Sequence, residues 1–455
     1  MRGIFLAVGI LAGMGLTLPY PYVGVLLWSW FTLQQPHQDA YGLIQQIPLN
    51  LVIALVTLLA WFLSSERKRL PSGFIFWMLA VFLLWMTLNS FFAFNPAWSW
   101  PYWDRIWKTI LLGFVIAMTA TSRSRLYALS WVIVISLFYY GVKGGLFTII
   151  TGGHFHVIGP QATAIGDNNS LAAALLMVLP FANYLRGQVA DKRIAHLLTI
   201  CMALTIVSIV GSYSRGAIIG LAMLALFAFF RARNRLVYIG FAAVIFVFVL
   251  QFMPEHFFDR VATISNAGQD QSFEARLQSW QVAYHYAIDH FPFGAGFYAI
   301  QLGELYQRYF PGQEPHAVHS IYFQVLGENG FIGLAIYLSI LAAAFLRCSR
   351  LISLTRKNLE QRWVSDLALA VQASLLVFAV AGAGLPIAYY DLFIIEISML
   401  LPLTGIALQE QKRNYQPWRR APLPALEENG SRRENSRVMN AIARQASVQS
   451  LTNPK

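Results

Sequence analysis

Apolar runs long enough to cross a bilayer recur along most of this 455-residue chain, and no other feature constrains its fold as tightly. A crossing takes about 17–25 apolar residues as a helix. Hydrophobic residues make up 57% of the chain and charged residues only 12%, which excludes a soluble globular fold. Runs near 48–64, 73–92, 105–121, 126–150, 170–186, 194–211, 214–231 and 235–253 are followed by three more near 320–346, 361–383 and 387–408. They predict an all-α polytopic membrane protein with about 12–13 transmembrane helices. Residues 3–33 are apolar but interrupted by Leu18-Pro19-Tyr20-Pro21. Proline removes a backbone donor, so this stretch is either two short helices or one kinked crossing.

The net charge of +12 would suit nucleic acid if it were gathered on one surface, but it is sorted between connectors. Arg67, Lys68 and Arg69, then Arg123 and Arg125, then Arg186, Lys192 and Arg193 occupy alternate connectors. Arg231, Arg233 and Arg235 come next, followed by Arg347, Arg350, Arg356, Lys357 and Arg362. The intervening connectors hold only Arg105, Arg215, Arg260, Arg276 and Arg308. Positively charged loops stay in the cytoplasm. The alternation therefore predicts a membrane protein with cytoplasmic basic connectors and C-terminus, membrane lipids as its surroundings and no nucleic-acid partner. The first apolar run lacks a small-residue cleavage site and feeds another run, so no cleavable signal peptide is expected. The two cysteines, Cys201 and Cys348, provide neither a disulfide framework nor a metal-ligand spacing.

One long polar stretch interrupts this pattern and divides the chain. Residues 1–253 read as N-terminal transmembrane helices and 254–319 as an outward-facing, periplasmic loop. Residues 320–410 return as C-terminal transmembrane helices, and 411–455 form a basic, disordered cytoplasmic tail. Inside the loop, Leu277, Trp280, Tyr284 and Ile288 fall at helical spacing and predict an amphipathic interfacial helix over 273–290. Arg276 and Trp280, four apart, share one of its faces. PFGAGF then breaks the helix, with Gly294 and Gly296 allowing a tight turn. His319 stands where the helical pattern resumes, and a helix start favours anions.

Arg215, in GSYSRGAIIG, lies at the outer end of an apolar run, away from the other arginine clusters. It reads either as an arginine snorkelling to the interface or as a ligand for phosphate or diphosphate. Arg276 is either a solvated arginine or the second half of such a clamp, since guanidinium forks suit diphosphate. His316 is an equally plausible surface neighbour of His319. Asp167, Asn168 and Asn169, with His154 and His156, line a substrate cavity or simply cap the helix near 170. No Asp-x-Asp metal motif stands in an outer loop, so neither metal nor cofactor is expected.

GSYSRGA, EARLQSWQVA followed by FPFGAGF, and HSIYFQVLGENGFIGL together resemble the O-antigen ligase superfamily of bacterial membrane proteins. WSWFTLQQPH, KGGLFTIITGGHFHVIGPQATAIGDNN and HSIYFQVLGE resemble, within it, the exosortase-associated O-glycosylation ligases. The resemblance runs from the N-terminus to about Gln411. It implies a glycosyltransferase-type ligase of the bacterial inner membrane that moves a glycan from an undecaprenyl-diphosphate carrier to a hydroxyl of a protein or lipid acceptor at the periplasmic face. It also implies that Arg215, Arg276 and His319 are the functional residues. The two arginines would bind diphosphate without metal, and His319 would act as general base or hold the acceptor. Asp167, Asn168 and Trp280 join the expected substrate-binding set. Ser320 stands where many relatives have asparagine. A polysaccharide repeat-unit polymerase of the same superfamily would share these features. A lipid-linked sugar transporter would instead show internal repeats and mid-membrane charges.

Overall fold

The computed structural model is all-helical, with no strand among the described residues, which are 2–38, 47–231 apart from 67, 69, 72 and 162, the isolated positions 236, 240, 243 and 247, and 271–414. The chain opens with α1 (Arg2–Thr17), α2 (Pro21–Gln34), α3 (Leu49–Leu63) and α4 (Phe74–Phe91). Then come α5 (Pro96–Thr119), α6 (Arg123–Ile150), α7 (Asn168–Gln188), α8 (Lys192–Gly211) and α9 (Arg215–Arg231). Next are α10 (Gln271–Asp289), α11 (Gly303–Tyr309), α12 (Ile321–Thr355), α13 (Arg362–Ala381) and α14 (Asp391–Asn414). Met1–Leu408 form one unit and Gln409–Lys455 another. Of the second unit only the last residues of α14 are described, so the tail expected to be disordered lies outside the described residues.

The interrupted run at 3–33 is two helices. Pro21 opens α2, where a missing N–H costs nothing. α1 folds back onto α2 closely enough that a Cβ on Gly24 would lie 2.4 Å from both Thr17 and Thr57. Among the described residues seven helices are long and apolar enough to cross a membrane: α4, α6, α7, α8, α12, α13 and α14. This differs from the expected 12–13 for identifiable reasons. α1, α2, α3 and α9 have 16, 14, 15 and 17 residues, and α5 carries Asp104, Arg105 and Lys108 within its length. The run expected at 235–253 falls largely outside the described residues.

The described connectors gather at two ends of the bundle. At one end Arg125 ion-pairs with Glu66, its Nη1 donates to Thr119 O (2.6 Å), and the Tyr22 hydroxyl donates to Arg125 O (2.7 Å). Arg123 donates to Gln188 (3.1 Å) and stacks over Trp363. The opposite end is built from 92–99, 151–168, 211–215, 271–320 and 381–390.

What positions that second end is an irregular segment packed into a broken helix. Gly330 departs from helical geometry (φ 68°, ψ −175°) inside α12, which frees carbonyls in the turn before it. Pro292–Phe297 lies alongside and satisfies them. Ala295 N donates to Gly327 O (2.7 Å), and Gly296 N and Asn89 Nδ2 both donate to Glu328 O (3.0 and 2.6 Å). Trp85 Nε1 donates to Asn329 O (2.8 Å). Asn89 Oδ1 in turn accepts from Gly294 N (2.8 Å), and Phe94 N donates to Ala295 O (2.8 Å). Non-helical backbone in a membrane protein survives only when buried in protein with its polar groups paired in this way. The approach is close: a Cβ on Gly294 would sit 2.4 Å from Asn329 N and Glu328 C.

Because those contacts are to backbone, Gly294→Ala is expected to destabilise the purified protein by about 3 kcal/mol. Asn89→Ala, which orphans the buried Gly294 N–H and leaves Glu328 O with Gly296 N alone, should cost about 2 kcal/mol. Gly187→Ala, where a Cβ meets nothing within 4 Å, should be neutral. Thermal unfolding of the three variants checks the ranking, and a wild-type melting curve for Gly294→Ala would contradict the packing described.

Candidate functional site

Three helices begin close together at this end, and each of the three principal candidate residues stands at one such start or faces it. The turn before α9 carries Arg215. Tyr213 is left-handed there (φ 58°), and Ser214 caps the helix, its Oγ accepting from Ala217 N (3.2 Å) and its carbonyl from Ile218 N (3.1 Å). The 151–167 loop braces this turn. Val157 N donates to Gly211 O (2.9 Å), the Tyr213 hydroxyl donates to Gly153 O, and the His156 ring lies 4.5 Å from that of Tyr213.

α7 starts beside it. Asp167 Oδ1 accepts from the backbone N–H groups of Asn169 (2.8 Å) and Ser170 (3.0 Å), while Asn168 Nδ2 donates to Ser212 O (2.7 Å). Both residues are expected to line a substrate cavity or to cap this helix. Their side chains cap α7 and fasten it to the turn before Arg215, as the capping alternative anticipates, and Asp167 is exposed.

Arg276 lies on α10, half-buried. The helix buries Ser279, Val282, Ala283, Tyr286 and Ala287. Leu277, Tyr284 and Ile288, three of the four residues whose spacing predicts the helix, form an exposed apolar stripe on another face. That stripe is what an interfacial helix offers to lipid. Trp280, the fourth, is half-buried and structural: its indole stacks on Phe323 (4.9 Å between centroids) and Nε1 donates to Val318 O (2.7 Å). With Ser279 Oγ donating to His316 O (3.2 Å), it holds the strand of chain that delivers His319.

His319 immediately precedes Ser320, the residue before α12. Its backbone is left-handed (φ 45°), a strained conformation for a side chain of this size that tends to collect at functional sites. Its Nδ1 is buried without a hydrogen-bond partner among the described residues. His316 is exposed. Burial, reinforced by the positive charge of Arg276 and by His316, holds the His319 imidazole below its ordinary pKa; Asp167 pulls the other way. His319 is therefore biased toward the neutral form, with a nitrogen able to accept a proton.

The end of α13 joins the three starts. A Cβ on Gly384 would lie 3.6 Å from Arg276 Nη1, one on Gly382 would lie 2.9 Å from Ile321 of α12, and one on Gly220 of α9 would lie 3.6 Å from Ala381. Arg276 and the start of α12, which His319 precedes, thus meet at the end of α13, and α9, the helix that Arg215 opens, packs on the same end through Gly220. Helix N-termini carry unpaired N–H groups and the positive end of the peptide dipole. Three such starts and two guanidinium groups give this end a positive electrostatic character. Among the described residues no three His, Cys, Asp or Glu side chains gather to hold a metal ion.

Glu328 escaped the sequence reading. It is 5% exposed on α12, and its one sequence signal is an acidic residue following an apolar stretch, where such residues are rare and functional by default.

Residues 200–338, which include Arg215, Arg276 and His319, match the family described as O-Antigen ligase. Residues 1–190 match a Family of unknown function (DUF5935). Neither match spans half of the chain, and neither bears on an exosortase. No curated protein matches it. The chain is thus a multi-pass membrane protein whose residues 200–338 are similar to the O-antigen ligase family, a family that works generally on lipid-linked glycans.

The charge balance around His319 can be read directly by a histidine NMR titration of the purified protein. Its midpoint should lie below the usual value of 6.5. Arg276→Gln, which removes a repelling positive charge, should raise the midpoint. Asp167→Asn, which keeps a capping side chain but removes an attracting charge, should lower it.

Proposed function

We propose that the chain is a membrane glycan ligase that transfers a glycan from an undecaprenyl-diphosphate carrier to an acceptor hydroxyl of a protein or lipid. The observation that carries this reading is the gathering of Arg215, Arg276 and His319 at converging helix starts, within the region similar to O-antigen ligases. The end bearing them faces the periplasm, because the opposite end carries the basic connectors.

In this reading the two guanidinium groups hold the diphosphate through paired, charge-assisted hydrogen bonds. His319, biased toward its neutral form, takes the proton of the acceptor hydroxyl. The acceptor oxygen attacks the anomeric carbon of the glycan and the bond from that carbon to the phosphate oxygen breaks. The electron pair leaves with undecaprenyl diphosphate, where arginine and helix dipoles stabilise the growing charge. The left-handed backbone at His319, held by Trp280 through Val318, fixes the imidazole relative to the arginines.

Arg276→Lys keeps the charge and loses the fork, so transfer should fall by about a hundredfold, equivalent to about 3 kcal/mol of transition-state stabilisation. His319→Ala should lower turnover while donor binding changes little, and the exposed His316→Ala should behave as wild type. Donor affinity and turnover in the three variants decide this; an active Arg276→Lys beside a dead His316→Ala would overturn the roles. Transfer should also survive a chelator, since arginines meet the diphosphate charge; activity lost to EDTA and restored by a divalent ion would overturn that account. A reporter fused at Gln269 should read periplasmic and one at Lys357 cytoplasmic. In a deletion strain full-length glycan should accumulate on its carrier; shortened glycans would indicate a polymerase.

A further inference from the structure

A cavity of about 170 Å³ opens beside the site, between α5, the 297–301 turn and the first turns of α12. Its wall includes Tyr102, Tyr298, Gln301, Gln324, Glu328 and Tyr389. It adjoins the arginine–histidine site through two segments. Ala317 lines it two residues before His319, and Pro386 lines it two residues after Gly384, the residue that lies against Arg276.

The wall has two kinds of surface. One is flat and aromatic: the Tyr298 ring stacks with Trp98 (5.3 Å, 25°) and with Tyr102 (5.1 Å, 12°). Tyr298 itself has a left-handed backbone (φ 64°), held by its N–H donating to Glu328 Oε1 (3.1 Å). The other surface is polar and mostly uncharged. Gln324 Oε1 accepts from Ala388 N (3.1 Å), which leaves the Gln324 amide hydrogens for other partners. Glu328 Oε2 is buried and completes no hydrogen bond of good geometry, although the Tyr389 hydroxyl and the Gln324 amide stand beside it.

These features select a ligand class. Among the described residues no lysine or arginine lines the cavity, and its one acidic side chain offers phosphate no positive charge, so the cavity is unsuited to the diphosphate. A buried carboxyl and a primary amide ask for hydroxyl donors and acceptors. An aromatic wall asks for an apolar face. A pyranose ring presents both, with C–H bonds on its face and hydroxyls on its rim. The volume lies below the roughly 300–1,000 Å³ of pockets for drug-sized ligands, which suits one ring rather than an oligosaccharide.

We propose that this cavity is a subsite for a single neutral pyranose ring, packed against the Tyr102–Tyr298 wall and hydrogen-bonded through its hydroxyls to Gln301, Gln324 and Glu328. The ring's source, the carrier-linked glycan or a sugar-bearing acceptor, rests on the ligase reading above; the chemistry of the cavity does not. Such a subsite would let the enzyme hold a sugar apart from the phosphates that the arginines hold.

The test uses the full chain in nanodiscs, as wild type and as Tyr102→Ala, Gln301→Ala and Glu328→Gln. Gln301→Ala and Glu328→Gln are the mild changes that keep the test valid if Tyr102→Ala fails to fold. Binding is measured for bare undecaprenyl diphosphate, for the same carrier bearing one pyranose (glucose, galactose, mannose or N-acetylglucosamine), and for the corresponding free methyl pyranosides. Wild type should bind at least one glycosylated carrier about tenfold more tightly than the bare carrier. The variants should lose that preference and keep bare-carrier affinity. Saturable binding of a methyl pyranoside, lost in the variants, without any preference between carriers, would support the subsite with the acceptor as its source. A preference that survives all three variants, or no binding of any pyranose in any form, would overturn it. Pyranoside binding by a protein that ignores both carriers would sink the ligase reading and leave the subsite standing.

Discussion

A turn of α12 that gives up its own hydrogen bonds underlies the rest of this end of the molecule. The carbonyls of Gly327, Glu328 and Asn329 are met by Ala295, Gly296, Asn89 and Trp85, which come from two other parts of the chain. Each bond is ordinary, worth about 1 kcal/mol net. Their importance lies in what an unmade bond would cost in a site removed from water. The loop from α10 is therefore held to the transmembrane helices by backbone pairing. That pairing fixes the depth and angle at which α10 presents Arg276. It also fixes Tyr298, whose N–H finds Glu328 one turn above the break.

Around this anchor the polar side chains act mainly through backbone. Asn168 and Trp280 donate to carbonyls of the segments that lead into Arg215 and His319, and Asp167 caps the helix that Asn168 fastens there. Residues that contact substrate can be few when the turns beneath them are held in this way. The electrostatics follow the same plan: burial first, and then the positive charge of Arg276 and the neighbouring His316, bias His319 toward its neutral form.

Helix positions were legible because apolar periodicity and caps mark them. α7, α8, α13 and the start of α12 fall within about two residues of the apolar runs, and α10 is where the 273–290 pattern places it. Arg215, Arg276 and His319 stand out as candidates through their motifs. The break at Gly330 was not, since glycine in an apolar run reads equally as a packing contact. The role of PFGAGF was half legible: its glycines announce a turn, but nothing local says that the turn pairs with a helix thirty-odd residues on. Asp167 and Asn168 show the converse limit. The sequence leaves substrate contact and helix capping equally open for them, and the structure shows the capping bonds. The buried face of α10 differed from its most apolar stripe because small residues, Ser279, Ala283 and Ala287, allow the close approach to α12 that Leu277 and Ile288 would prevent.

The break in α12 also has a mechanical meaning. Beyond Gly330, residues 331–355 make a helix about 37 Å long at 1.5 Å per residue, longer by itself than the roughly 30 Å hydrocarbon layer. Such a helix answers changes in bilayer thickness by tilting. The short segment Ile321–Asn329 is joined to it through a single non-helical residue and is clamped sideways to α4, α10 and α13. A tilt of the long part is thus absorbed at the joint and need not turn the short part, which carries His319 at one end and Glu328 near the other. The protein separates the element that answers to the membrane from the element that holds the chemistry, within one helix and with one glycine between them.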